Sequence, residues 1–344
     1  MPENSTPPDR TRLLELDALR GLAAIATVFY HCVYRYDRLF GHEGLPVQWS
    51  YWGHYGVHLF FIISGFVIFW TLRRVERPFD FVVSRFSRLY PVYWLAVALS
   101  FTVITLAGLP GREVSARDAL VNLLMFHSYL SVPSVDGVYW SLVVELTFYG
   151  WIFCVYLTGQ LRNAEYALVA LILVNVASAQ FGLDVPHQAE RLLMHHYAPL
   201  FLAGICFFHI AHGEKVTRSW LLVGFALVAV ALLRPFREVL VVLVLFVIFH
   251  AAVTGRLAFL SRSVLIRLGA LSYSLYLIHQ NIGYIIINFG YRLGLPGPVS
   301  IAVAIVLVLC LSWLMYTLVE QPALKWIRKK YREFRPRNMS LQTE

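Results

Sequence analysis

Apolar residues in this chain run in long unbroken blocks and do not alternate with polar ones, and short polar joints separate the blocks from near the amino terminus to Glu320. In lipid only helices and closed barrels satisfy every backbone group, and continuous apolar runs are the signature of helices. The pattern therefore predicts an all-α polytopic membrane bundle. Ten spans are expected, at residues 14–34, 55–72, 89–108, 138–157, 164–182, 197–211, 219–233, 239–253, 268–290 and 299–320.

The stretch 117–132 has a helical pattern but is barely long enough to cross, so it is expected to be interfacial or re-entrant. Ten spans put both termini on one side, and that side carries twenty Lys and Arg against eight on the other. The positive-inside rule then makes both termini cytoplasmic, whereas an eleventh span at 117–132 would put the basic tail outside. The expected organisation is a cytoplasmic tail at 1–13, a membrane domain at 14–322 and a basic cytoplasmic tail at 323–344.

Composition agrees. Hydrophobic residues make up 58% of the 344 residues, charged residues 14%, and the mean hydropathy is +0.63, which excludes an ordinary soluble domain. The net charge of +9 follows from Lys and Arg facing anionic lipid and calls for no nucleic acid. Cys32, Cys154, Cys206 and Cys310 lie in apolar segments without metal-type spacing and are read as reduced packing residues. No cleavable signal peptide, internal repeat or metal site is expected, and the chain reads as a multi-pass protein of the cell membrane.

Polar groups inside such spans are costly, and each is a functional-site hypothesis by default. Arg20 and His31 share the first span, eleven residues apart, so they lie on nearly one helix face about 16 Å apart along the axis. In the fourth span Ser141, Glu145 and Tyr149 recur every four residues as a polar stripe, with Glu145 about 10 Å inside. His31 and Glu145 are expected at similar depth. A carboxylate beside an imidazole suits a general base, and a structural polar contact between helices is the alternative.

The joint after the second span carries Arg73, Arg74, Arg77, Arg85 and Arg88. If helical, Arg85 and Arg88 share a face at the membrane boundary, where they suit a polyphosphate or simply anchor the chain by charge. Ser64 and Gly65 form a small-residue notch for packing or for a ligand. His58 is a cavity or snorkelling residue, and His279, with Tyr273 and Tyr276 near it, is either buried and hydrogen-bonded or catalytic. Glu320 is expected to pair with a cytoplasmic Arg, and the adjacent His195 and His196 are not spaced for ligation.

LDALRGLAA followed by His31, GVHLFFIISGF, SRFSRLYP, GVYWSLVVE and LSYSLYLIH resemble, in this order, the motifs of the acyltransferase 3 family of membrane-bound acyltransferases, over about Leu14 to Pro322. The resemblance implies a ten-helix bacterial enzyme that moves an acyl group, most simply acetyl, from cytoplasmic acyl-CoA to a hydroxyl of a glycan or glycosylated product. No permanently bound cofactor is implied. The family's arginine–histidine motif falls on Arg20 and His31, its paired-arginine motif on Arg85 and Arg88, and its glutamate-bearing motif on Glu145.

Where His58 stands many relatives carry an acidic residue, and no hydrolase-like domain is expected after the membrane body. The resemblance makes Arg20, Arg85 and Arg88 donor-binding residues and His31 a general base oriented by Glu145, with an acyl-histidine relay as a second route. Ser64, Ser141, Tyr149 and His279 are weaker candidates for substrate contacts. A polysaccharide or glycolipid flippase is the alternative reading, for which paired halves and interrupted helices would be the sign.

Overall fold

A computed structural model of the chain describes residues 14–42 and 44–334; the tail 1–13, with Arg10 and Arg12, and the end of the basic tail, with Arg335 and Arg337, lie outside the described residues. Among the described residues the structure is all helical. The first rod joins α1 (Leu14–Phe29), a π-helical turn (Tyr30–Arg35) and α2 (Tyr36–Phe40). A 3₁₀ stretch (Gln48–Tyr55) leads into α3 (Gly56–Leu72). The helix α4 (Pro78–Ala107) opens on a proline, whose missing N–H is harmless in a first turn.

The short α5 (Ala116–Asn122) is capped by Ser115, which accepts the Asp118 N–H at 3.1 Å. A 3₁₀ turn (Gly137–Tyr139), capped by Asp136, opens α6 (Trp140–Leu157). Then come α7 (Ala164–Gln180), α8 (His187–Leu192), α9 (Ala198–Ala211), α10 (Val216–Leu233), α11 (Phe236–Val253), α12 (Ser263–Ile278), α13 (Asn281–Arg292) and α14 (Gly297–Met315). A second π-helical turn (Tyr316–Glu320) carries the last into α15 (Gln321–Phe334).

Eight helical stretches are long and apolar enough to cross a membrane, and they coincide with eight of the ten expected spans. The other two differ. The segment expected at 197–211 is α9, a shorter apolar helix buried among α3, α7 and α10. The segment expected as one span at 268–290 is broken at His279 and Gln280 into α12 and α13. At the break the Asn281 N–H donates to Asp136 Oδ2 at 3.1 Å, so a buried carboxylate from the α6 entrance replaces the helix's own carbonyl. The stretch 117–132 is not a span: α5 has seven residues, and its last, Asn122, is pinned to α4 by the Tyr93 hydroxyl donating to its carbonyl at 2.8 Å.

Large apolar side chains face outward around the bundle, among them Leu106, Phe181, Val228, Leu240, Val247 and Leu318. Such a girdle is stable only against lipid, and the chain is an integral membrane protein. Cys32 and Cys206 pack in the core as expected, whereas Cys154 and Cys310 are exposed on the outside of the bundle.

Two crossings bring helix backbones together. A Cβ on Gly65 would sit 2.3 Å from the Phe201 carbonyl oxygen, and one on Gly204 would sit 2.2 Å from that of Ile62, so α3 and α9 touch where only glycine fits. The pair Gly21 and Gly269 does the same for α1 and α12.

The charge asymmetry makes a topological prediction. Single cysteines placed at Lys330 and Arg256 should label from the cytoplasm, and cysteines at His187 and Arg292 from outside. Outside labelling at Lys330 would overturn the expected sidedness.

Candidate active site

The helices α1, α3, α4, α6 and α12 line a shared cavity of about 120 Å³. Its lining runs along α3 from Val57 to Ile68, eleven residues or about 16 Å of helix. Three guanidinium groups, Arg20 from α1 and Arg85 and Arg88 from α4, stand at one end. Because α4 begins at Pro78, Arg85 and Arg88 belong to a helix and share a face, one turn apart. Among the described residues no carboxylate lies within ion-pair distance of any of the three. Arg85 Nη2 donates to Ser84 Oγ at 3.2 Å, and its buried Nε has no partner.

The four-residue stripe of α6 faces this cavity as its spacing required, with Ser141, Glu145 and Tyr149 all on the wall. Glu145 Oε1 accepts hydrogen bonds from Ser64 Oγ and from the Tyr149 hydroxyl, the latter at 2.5 Å. Ser141 and Tyr276 share a 2.6 Å hydrogen bond, and the Tyr273 hydroxyl donates to the Leu89 carbonyl at 3.1 Å, which ties α12 to α4. Tyr276 closes the far end, and its ring centroid lies 5.6 Å from that of His279.

His31 lies beyond Tyr276 and His279. It occupies the π-helical turn Tyr30–Arg35, a widening that recurs at functional sites. Its ring stands edge-on to His279 at 5.0 Å, and its Nδ1 is 3.3 Å from the Tyr284 hydroxyl. His279 Nδ1 faces the carbonyls of Leu275 and Tyr276 at 3.1 and 2.9 Å. Both partners are acceptors, so Nδ1 carries the proton and the lone pair is on Nε2, which is buried with no partner.

The expected pairing of His31 with Glu145 is not formed. Among the described residues the partners of His31 are Tyr284 and the neighbouring aromatic rings, while Glu145 bonds Ser64 and Tyr149 on the wall shared with the arginines. The two groups differ in depth: Glu145 stands near Arg20 and Arg85 at the arginine end of the cavity, whereas His31 meets His279 and Tyr284 beyond Tyr276. Of the weaker candidates, Ser64, Ser141 and Tyr149 line the cavity and His279 adjoins it.

His58 is buried between Tyr55 and Tyr197, off the cavity. Among the described residues Glu320 accepts from Ser274 at 2.6 Å and not from an arginine. The rings of His195 and His196 meet edge-on, 4.1 Å between centroids, in a separate cleft beside Trp140, Glu190 and Arg191. Sequence reasoning missed Tyr284 and Asp136. The first has only its place five residues after His279 as a signal, and the second stands immediately before GVYW.

Residues 13–317 match the sequence profile described as an acyltransferase domain. The chain belongs to the acyltransferase 3 family. Among its relatives, this family member is 26% identical to the acyltransferase MdmB of Streptomyces mycarofaciens, over 94% of this chain and 95% of the relative. It is 28% identical to the exopolysaccharide production protein ExoZ of Rhizobium meliloti, over 79% and 90% respectively. It is 29% identical to the peptidoglycan O-acetyltransferase OatA of Listeria monocytogenes over 39% of this chain and 22% of the relative. No solved structure matches this acyltransferase 3 protein.

Proposed function

We propose that this protein is an O-acyltransferase of the bacterial inner membrane that takes an acyl group from cytoplasmic acyl-CoA and places it on a hydroxyl of a cell-surface or exported carbohydrate. The observation that carries this reading is the arrangement around the cavity: three guanidiniums with no carboxylate in ion-pair distance among the described residues, a lining that runs along α3, and two histidines beyond Tyr276. An acyl-CoA has that order of parts, an anionic nucleotide, a thin pantetheine arm and a terminal thioester. Guanidinium forks suit phosphate oxygens by charge and by geometry. The names of ExoZ and OatA support a glycan acceptor, and that of OatA an acetyl group.

In this reading His31 is the general base. With Nδ1–H donating to Tyr284, the Nε2 lone pair takes the proton of the acceptor hydroxyl as its oxygen bonds to the thioester carbon. The C–S bond then breaks, and the coenzyme thiolate, of reference thiol pKa ~8.5, leaves and takes up the proton from the imidazolium. His279, its tautomer set by two backbone carbonyls, positions the His31 ring from the side. Glu145 serves the other end: it holds Ser64 and Tyr149 in the wall and places a negative charge near the arginines.

Transfer of radiolabelled acyl groups from acyl-CoA into a glycan fraction by membranes carrying the protein, absent with His31→Ala, tests the proposal. A flippase would move glycan and leave it unlabelled. The arginines are tested separately. Arg85→Lys and Arg88→Lys keep the charge but lose the fork, so each should raise the apparent KM for acyl-CoA several-fold with little change in kcat. Unchanged kinetics in both would return the pair to charge anchoring.

A further inference from the structure

The helix α15 lies along the start of α4, outside the cavity. Its Tyr331 hydroxyl donates to Asp80 Oδ1 at 2.6 Å, and its ring rests against Phe79 at 5.8 Å between centroids. These contacts set the rotation of α15 and direct Arg328, one turn earlier on the same face, toward Ser84. There Arg328 Nη2 donates to Ser84 Oγ at 3.2 Å, the same hydroxyl that receives Arg85 Nη2 at 3.2 Å.

Two guanidiniums thus meet on one serine oxygen, with Arg88 on the next turn of α4 and also acting on Arg328. Among the described residues no carboxylate stands within ion-pair distance of Arg328, Arg85 or Arg88. A serine hydroxyl supplies two lone pairs and no charge, so it satisfies hydrogen bonds but leaves the mutual repulsion of the cations standing. That combination, converging forks with an uncharged spacer, is a receptor for a bound oxyanion.

We infer that Arg328 is the outermost member of the donor site and recognises a terminal phosphomonoester, the 3′-phosphate of the acyl-CoA nucleotide. The inference rests on the acyl-CoA reading. With the thioester at the histidine end, the diphosphate reaches Arg85 and Arg88 and the ribose 3′-phosphate lies farthest out, where Arg328 stands. A phosphomonoester carries about −1.5 to −2 charges at neutral pH, more than either group of the diphosphate.

The test compares coenzyme A with 3′-dephospho-coenzyme A, both binding to the full-length protein in phosphate-free glycosidic detergent, by calorimetry. The wild-type protein should prefer coenzyme A by about tenfold or more, the scale of a charge-assisted contact. Arg328→Gln should bind the two alike, Arg328→Lys should fall between, and Lys329→Gln, which removes an equal charge from the exposed side of the same helix, should keep the preference. In turnover, Arg328→Gln should raise KM for acetyl-CoA and leave kcat and the KM for its dephospho analogue unchanged.

A preference that persists in Arg328→Gln overturns the inference, as does a wild-type protein that binds both forms equally. In either case the acyl-CoA reading stands. A wild-type protein that binds neither form sinks both. An Arg328 that serves only lipid phosphate would reveal itself by an unchanged preference in detergent together with a changed affinity for anionic vesicles.

Discussion

His31→Ala is expected to lower acyl transfer by about 10² to 10⁴, the usual loss on removing a positioned general base, while the protein still inserts and elutes as a folded species. His31 sits in the π-helical turn with Tyr284, among the described residues, as its only hydrogen-bond partner, so truncation leaves no buried charge behind. Tyr284→Phe should cost less on its own, because it loosens the ring but keeps the base. Combined with His31→Ala it should add almost nothing, since the two form one unit.

Glu145 behaves differently in this geometry. Its partners are Ser64 and Tyr149 on the cavity wall, so Glu145→Gln and Tyr284→Phe should multiply in the double mutant. Radiolabel assays on the four proteins of that cycle decide the matter. A double mutant no worse than the worse single would bring the carboxylate back to the imidazole and discard the wall role.

Gly269→Val is expected to remove most of the folded protein. A Cβ at this position would lie 1.9 Å from the Asp17 carbonyl oxygen and 2.7 Å from its carbon, and neither atom belongs to a side chain that can swing away. The opposite glycine is equally tight, because a Cβ on Gly21 would meet the Leu265 carbonyl oxygen at 2.7 Å. Overpacking in a core typically costs about 1–3 kcal/mol, and here two helix backbones must part. Asp17 is one turn before Arg20, so any surviving protein should also bind acyl-CoA more weakly. Gly150→Ala is the control: a Cβ there meets nothing within 4 Å, and the change should leave the melting temperature unchanged or raise it. Equal melting of Gly269→Val and wild type in detergent would show that α1 and α12 do not depend on this crossing.

Much of the architecture was legible along the chain. Apolar blocks located the helices because lipid admits no other backbone for such runs. The four-residue spacing of Ser141, Glu145 and Tyr149 and the three-residue spacing of Arg85 and Arg88 told which side chains share a face, and in both cases that face lines the cavity. The family motifs added Arg20 and His31 to the same picture.

What could not be read was how each face is turned toward the others. The hydrogen bond of His31 to Tyr284 joins residues 253 apart, and Asn281, just past the break, is held by an aspartate 145 positions before it. Glu145 was expected beside His31 because counting from the span ends put both at similar depth, but Glu145 stands with the arginines and His31 beyond Tyr276, since residue counts fix neither how far one helix is shifted along another nor how it is rotated. Rotation is set between helices, by backbone crossings such as Gly21 on Gly269 and by tethers such as Tyr331 to Asp80. Periodicity alone determined where each side chain stands on its own helix, and only the packing of helix on helix decided that the arginines and Glu145 share a cavity whose far end faces two histidines.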